Sequence, residues 1–197
     1  MNDPYSWQVP QLEQLRHHLL KQDLAHAYLI DDPAGEGSQG FVRALASTIL
    51  CEQTQLGGCS SCSSCQLQSA GSHSDLLWVM PEDSKQIKIE QIRSVIEWSH
   101  QTPQQGRAKV LVLDPADRMN VYATNSLLKL LEEPAPNTYL FLISTSLHGI
   151  NLHLVLKHVH AKSTATTLYF VEEKFHKFLY ILWLVLLKKD LLLQISL

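Results

Sequence analysis

Ala25-His26-Ala27-Tyr28-Leu29-Ile30-Asp31-Asp32-Pro33-Ala34-Gly35-Glu36-Gly37-Ser38-Gln39-Gly40 is the stretch on which the fold turns. Ala25–Ile30 is a short apolar run, ended by Asp31-Asp32-Pro33-Ala34-Gly35. An apolar run stopped by turn residues predicts a buried strand entering a Gly-containing turn. Helical spacing resumes over Phe41–Leu50. Strand, glycine turn and helix in this order is where a phosphate-binding loop of the form G-x-x-x-x-G-K-[ST] would lie. Laid on residues 32–39, that frame finds its last glycine at Gly37, but Asp32 takes the place of its first. Gly35 keeps a glycine within the turn, Ser38 replaces the lysine, and Gln39 replaces the Ser/Thr. The lysine supplies charge to the β- and γ-phosphates, and the hydroxyl holds Mg²⁺. With both gone, and with Asp32 and Glu36 repelling a polyphosphate, productive ATP binding is not expected. The helix N-terminus keeps its attraction for an anion.

Working outward, strand-like and helix-like patterns alternate. Gln11–Lys21 has helical spacing, Leu76–Met80 reads as a strand stopped by Pro81, and Ile89–Trp98 is amphipathic. Val110–Leu113 is a second buried strand, Asn120–Leu131 is helical, and Tyr139–Ile143 is a third apolar run of strand length. Such alternation predicts an α/β fold with a parallel sheet covered on both faces. Val110-Leu111-Val112-Leu113-Asp114 has the form of a Walker B strand, yet Pro115 follows where a catalytic acid often stands. Proline offers neither a carboxylate nor an N–H. Two separate segments thus read as a nucleotide-hydrolase frame stripped of its chemistry.

All four cysteines fall within fifteen residues, as Cys51-x7-Cys59-x2-Cys62-x2-Cys65. Four thiolates at this spacing can close a tetrahedral site around Zn²⁺, and a site with four sulfurs leaves no position for water. A structural zinc ion is therefore expected. An iron–sulfur cluster is the runner-up, although its usual run continues to a further Cys before Pro, and Gln66-Leu67 stands here. The remaining alternative is four free thiols.

The order of these motifs resembles the delta-prime clamp-loader family of bacterial DNA polymerase III. The resemblance rests on His26-Ala27-Tyr28-Leu29, the cysteines, Ala70-Gly71-Ser72-His73-Ser74-Asp75-Leu76 and Ile89-Glu90-Gln91-Ile92-Arg93. Thr102-Pro103-Gln104-Gln105-Gly106-Arg107-Ala108-Lys109-Val110, Asp114-Pro115-Ala116-Asp117-Arg118-Met119-Asn120 and Leu127-Leu128-Lys129-Leu130-Leu131-Glu132-Glu133-Pro134 complete it, within residues 5–147. It implies a RecA-like AAA+ three-layer parallel sheet, with a small zinc-binding insertion at 51–74. It also implies a non-catalytic ring subunit of the polymerase holoenzyme. Its partners would be the delta and tau/gamma subunits, and through them the sliding clamp and primed DNA. An active P-loop ATPase of the same fold is one competing function. A membrane-associated zinc module is the other.

Composition divides the chain near residue 148. Residues 1–150 hold every Pro, Gly and Arg, and ten basic against sixteen acidic residues; residues 151–197 hold six Lys, three acidic residues and 13 Leu. In the resembling family a Leu-Pro segment, a Ser-Arg-Cys motif, a lid and a collar would follow, and none is legible here. A reading-frame change near His148–Leu152 with early termination is expected, the alternative being a genuinely divergent helical tail. Thr167–Val171 is the tail's strand-like candidate, and without a further strand and lid the sheet would keep a bare edge. The longest apolar run, Phe178–Leu187, is ten residues, short of the roughly 18–20 a membrane span needs. With no basic leader at Met1–Pro10 and clustered thiols, a cytoplasmic protein without membrane attachment is expected. Lys85, Lys88, Arg93, Arg107 and Lys109 read as scattered solvated charges. His17, His18, His73 and His100 read as ordinary polar residues, and Trp98 as either an interface aromatic or half core.

Overall fold

The computed structural model describes residues 4–32, 35, 37–82, 85–105, 107–146 and 169–170. A 3₁₀ turn at Ser6–Gln8 leads into α1 (Val9–Leu20), β1 (Ala27–Asp31), α2 (Ser38–Leu50), α3 (Ser63–Ser69) and β2 (Leu76–Val79). Then come α4 (Ile89–His100), β3 (Lys109–Leu113), a 3₁₀ turn at Ala116–Arg118, α5 (Val121–Glu132), β4 (Thr138–Ser144) and β5 (Tyr169–Phe170). The strands form one sheet in the order β2-β3-β4-β1-β5, parallel throughout. This is the expected α/β architecture, a sheet between two helical layers.

Strand periodicity explains the layers. Successive side chains point to opposite faces, so a strand buried on both faces is apolar through its central positions. On one face Leu29, Leu111, Leu113, Leu140 and Leu142 pack with Ile92 and Val95 of α4 and Leu127 and Leu131 of α5. On the other, Tyr28, Ile30, Val110, Val112, Phe141 and Ile143 pack with Leu12 and Leu15 of α1 and Phe41, Val42, Leu45 and Ile49 of α2. Tyr28 sits opposite Phe141 in the β1–β4 register, and their rings stack at 5.6 Å between centroids.

Local chemistry sets the helix ends. Asn120 caps α5, its side-chain oxygen accepting the Ala123 N–H at 2.8 Å. Gln91 Oε1 accepts the Lys88 N–H at 3.0 Å at the start of α4. Helix α3 carries no periodic signal in the sequence, because Ser63–Ser69 is short and lacks an apolar period. Helix α2 begins at Ser38, three residues before its apolar run, because the turn itself caps it.

Expectations for residues 149–197 lie outside the described residues, apart from Tyr169–Phe170. Those two lie within the strand-like candidate 167–171 and pair parallel with Ile30 and Asp31 of β1. The expectation of a bare edge is therefore corrected at these two positions, where β5 supplies backbone partners. Among the described residues, no helix is long and apolar enough to cross a membrane.

Candidate functional site

The strand-to-helix turn and the end of β3 converge on a cleft of about 440 Å³, lined among others by Asp32, Gly35, Gly37, Ser38, Gln39, Asp114, Pro115 and Thr145. Asp32 is buried, and its Oδ2 accepts the Ser38 N–H at 3.1 Å. An acidic oxygen thus already occupies one of the orphan donors that a helix N-terminus offers to an anion. Gly37 is in the left-handed region at φ 103°, and a Cβ there would meet the Tyr5 ring at 2.4 Å. Both conformation and space demand glycine at this position. Buried Gln8 secures the same corner: its Nε2 donates to the Gly37 carbonyl at 3.1 Å, and its Oε1 accepts the Tyr5 N–H at 2.9 Å.

Across the cleft, Asp114 Oδ2 accepts Gln39 Nε2 at 2.7 Å and Trp78 Nε1 at 3.3 Å. Burial raises the Asp114 carboxyl above its usual range, and the bonds from Gln39 and Trp78 oppose that shift. Arg43 lies over the Trp78 ring, 4.3 Å from its centroid. Gln39 and Asp114, which the sequence frame sets at the expected Ser/Thr and Walker B positions, are therefore bonded directly to each other. Beside them Asp117 fixes Thr145, accepting its N–H at 2.8 Å. Pro115 brings no donor and no carboxylate.

The four cysteines form a second site. Their sulfurs all lie within 4.8 Å of one another, and none is in a disulfide. A tetrahedral Zn²⁺ with bonds of 2.3 Å separates its sulfurs by roughly 3.8 Å, close to the 4.0 Å between Cys59 and Cys65. Cys51 follows the last residue of α2, and Cys62 precedes α3 and accepts the Cys65 N–H at 3.4 Å. Cys59 Sγ accepts the Cys62 N–H at 3.3 Å and the Ser61 hydroxyl at 3.4 Å. The Ser61 hydrogen bonds lead in lowering the Cys59 thiol to about 6, while burial pushes Cys65 up to about 12. Donor-bonded sulfurs converging on one point are what a closed thiolate site requires. These residues fit a metal ion held structurally.

Several side chains around the insertion have roles that residue type alone did not reveal. His73 is buried, with Nε2 2.8 Å from Ser64 Oγ and Nδ1 accepting the Asp75 N–H at 3.1 Å. It ties α3 to the entry of β2, which corrects its reading as an ordinary polar residue. Asp75 is fully buried and accepts the backbone N–H groups of Gln104 and Gln105 at 2.9 and 2.8 Å. Lys109 is also corrected: it is buried, donates to the Trp98 carbonyl and lies 4.3 Å from the Trp98 ring centroid. Trp98 is half core, its Nε1 donating to the Ser74 carbonyl at 3.0 Å. Arg107, read as a solvated charge, donates to the Cys51 carbonyl.

A family model described as "DNA polymerase III, delta subunit" matches residues 7–152. DNA polymerase III subunit delta′ of Pseudomonas aeruginosa is 42% identical over 146 residues, covering 73% of this chain and 44% of that protein. Its counterpart from Haemophilus influenzae is 37% identical over 142 residues, covering 72% of this chain and 43% of that one. A solved structure of a gamma subunit-related protein from Thermotoga maritima gives a TM-score of 0.48 at 19% identity, covering 84% of this chain and 47% of its own. The chain spans less than half the length of these two delta′ relatives.

Proposed function

The chain belongs to the DNA polymerase III delta subunit family, and from that premise we propose that residues 1–148 are the RecA-like AAA+ module of a non-catalytic clamp-loader subunit. In this reading it takes a place in a ring with the delta and tau/gamma subunits. That ring loads the sliding clamp on primed DNA. The module works by shape and not by hydrolysis, in the cytoplasm.

The observation that carries the non-catalytic reading is the 2.7 Å bond from Gln39 to Asp114. In a working site the equivalent side chains share a Mg²⁺ ion that neutralises phosphate charge. Here an amide joins the two positions directly, and the Asp32 carboxylate caps the helix end that phosphate would approach. Placing a triphosphate there would set its charge against Asp32 with no lysine to offset it. The four cysteines would hold a structural zinc ion that fixes the 51–74 insertion against α2. The division near residue 148 rests on the change in composition.

The test is reconstitution. The full chain is mixed with purified delta and tau subunits, and complex formation is read by size-exclusion chromatography. Co-elution, with no ATP turnover by the chain alone, is the expected result. ATP turnover by the pure chain that disappears on Gly37→Glu would overturn the non-catalytic reading. Failure to co-elute with either subunit would overturn the assembly reading.

A further inference from the structure

Two arginines from different parts of the chain close on the same short turn beside the cysteine cluster. Arg16 projects from α1, and its Nε donates to the Thr54 carbonyl at 3.0 Å. Arg107 comes from the segment just before β3. It donates through one guanidinium nitrogen to the Cys51 carbonyl and through the other to Thr54 Oγ1 at 3.4 Å. The turn itself is closed by the Thr54 N–H, which donates to the Cys51 carbonyl at 3.0 Å. Thr54 sits at φ 52°, in the left-handed region that a β-branched residue rarely enters. The surrounding bonds therefore hold this turn in a shape it would not choose alone.

We infer that Arg107 and Arg16 act as positioning residues for the metal site, bracketing the Cys51–Thr54 turn so that the first thiol is aimed at the other three. This rests on the reading of the four cysteines as a metal site. Cys51 follows directly on α2, and the other three cysteines lie beyond residues 52–58. Its backbone direction at the exit from α2 decides whether its sulfur meets theirs. Arg107 serves this role better than a lysine could, because its planar fork reaches two acceptors of one turn at once. Arg16 grips the far end of the same turn and is itself steadied by Glu13 at 3.0 Å. The bracket also joins the insertion to α1 and to the approach of β3, the two body elements these arginines come from.

Partners that hold a ligand in place typically change metal affinity by about 10–100-fold when removed. The experiment is a chelator competition for Zn²⁺ on the full chain, with Co²⁺ substitution to read the thiolate absorption bands. Wild type, Arg107→Gln, Arg107→Lys, Arg16→Gln and Arg93→Gln are compared. Arg93 lies on α4 and removes the same charge elsewhere. The expected result is a loss of about tenfold or more for Arg107→Gln, a smaller loss for Arg16→Gln, partial recovery with Arg107→Lys and shifted Co²⁺ bands in the first. Wild-type affinity in both Arg107→Gln and Arg16→Gln would overturn the inference. An equal loss in Arg93→Gln would also overturn it, since charge alone would then suffice. A wild-type chain that binds no metal would instead overturn the metal site itself, a distinct outcome.

Discussion

Gln39 and Asp114, 75 positions apart in the chain, are joined by a 2.7 Å hydrogen bond from the side-chain amide to the carboxylate. Asp114 is buried, and this bond, the one from Trp78 and the nearby Arg43 charge all favour its ionised form against that burial. Removing Gln39 would leave the buried carboxylate with the longer Trp78 bond as its remaining side-chain donor, and losing a partner of a buried polar group costs about 1–3 kcal/mol. Gln39→Ala should therefore destabilise the fold by that order in denaturant unfolding. Asp114→Asn should recover part of the loss when added to Gln39→Ala. Strict additivity of the two changes would refute the coupling.

Asp32 should behave as a helix cap. Its carboxylate accepts the Ser38 N–H at the start of α2. Replacing a capping side chain typically costs about 0.5–2 kcal/mol, so Asp32→Ala should lower stability within that range. An unchanged unfolding midpoint would show that the bond contributes nothing. Millimolar Mg-ATP should leave the wild-type melting temperature where it is, since a ligand held at a hundredfold excess over Kd would add about 2.7 kcal/mol.

Zinc should co-purify at about one ion per chain, and Cys62→Ser should loosen the 51–74 segment. Elemental analysis checks the first, and limited proteolysis with and without chelator checks the second. Protein purified without chelator that carries neither zinc nor iron would end the metal reading.

Lys109 gives a pH dependence whose sign is fixed. Burial lowers its ammonium pKa below the ordinary 10.5, with the Asp75 charge opposing. The folded chain therefore gives up this proton more readily than the unfolded chain does. The penalty of a buried charge is present at neutral pH and is relieved as pH rises toward 10.5. Wild type should gain stability relative to Lys109→Met across that window. Parallel stability curves for the two proteins would count against it.

Much of this was legible because apolar runs are a direct record of burial. Val110–Leu113 reads as a buried strand and Tyr139–Ile143 as an apolar run of strand length, and both are interior strands, while Ile92, Val95 and Leu127 lie on helix faces that meet the sheet. The cysteine spacing announced convergence before any geometry did. What stayed hidden depended on residues distant in sequence. Nothing about Lys109 or Arg107 alone says that one turns inward to Trp98 and the other reaches Cys51. His73 looked ordinary because its partners, Ser64 and the Asp75 N–H, are set by how α3 packs beside β2. Helix α3 is made of residues that favour no period, and its start is a thiol cap instead of a common oxygen cap.

The insertion has a consequence for the sheet that contains no cysteine at all. Strand β2 lies at one end of the strand order, paired among the described residues with β3 alone, and residues 51–75 separate it from α2. As plain chain, so long a connection would leave β2 weakly tethered, because loop-closure entropy grows with length. An ion held by the four cysteines would gather residues 51 and 65 and fold most of that excursion into a compact knot, so that the chain would effectively run only from Cys65 to Leu76. Stripping the metal should therefore be felt first as fraying of β2, with faster amide exchange at Leu76–Val79 than at β4 in the middle of the sheet.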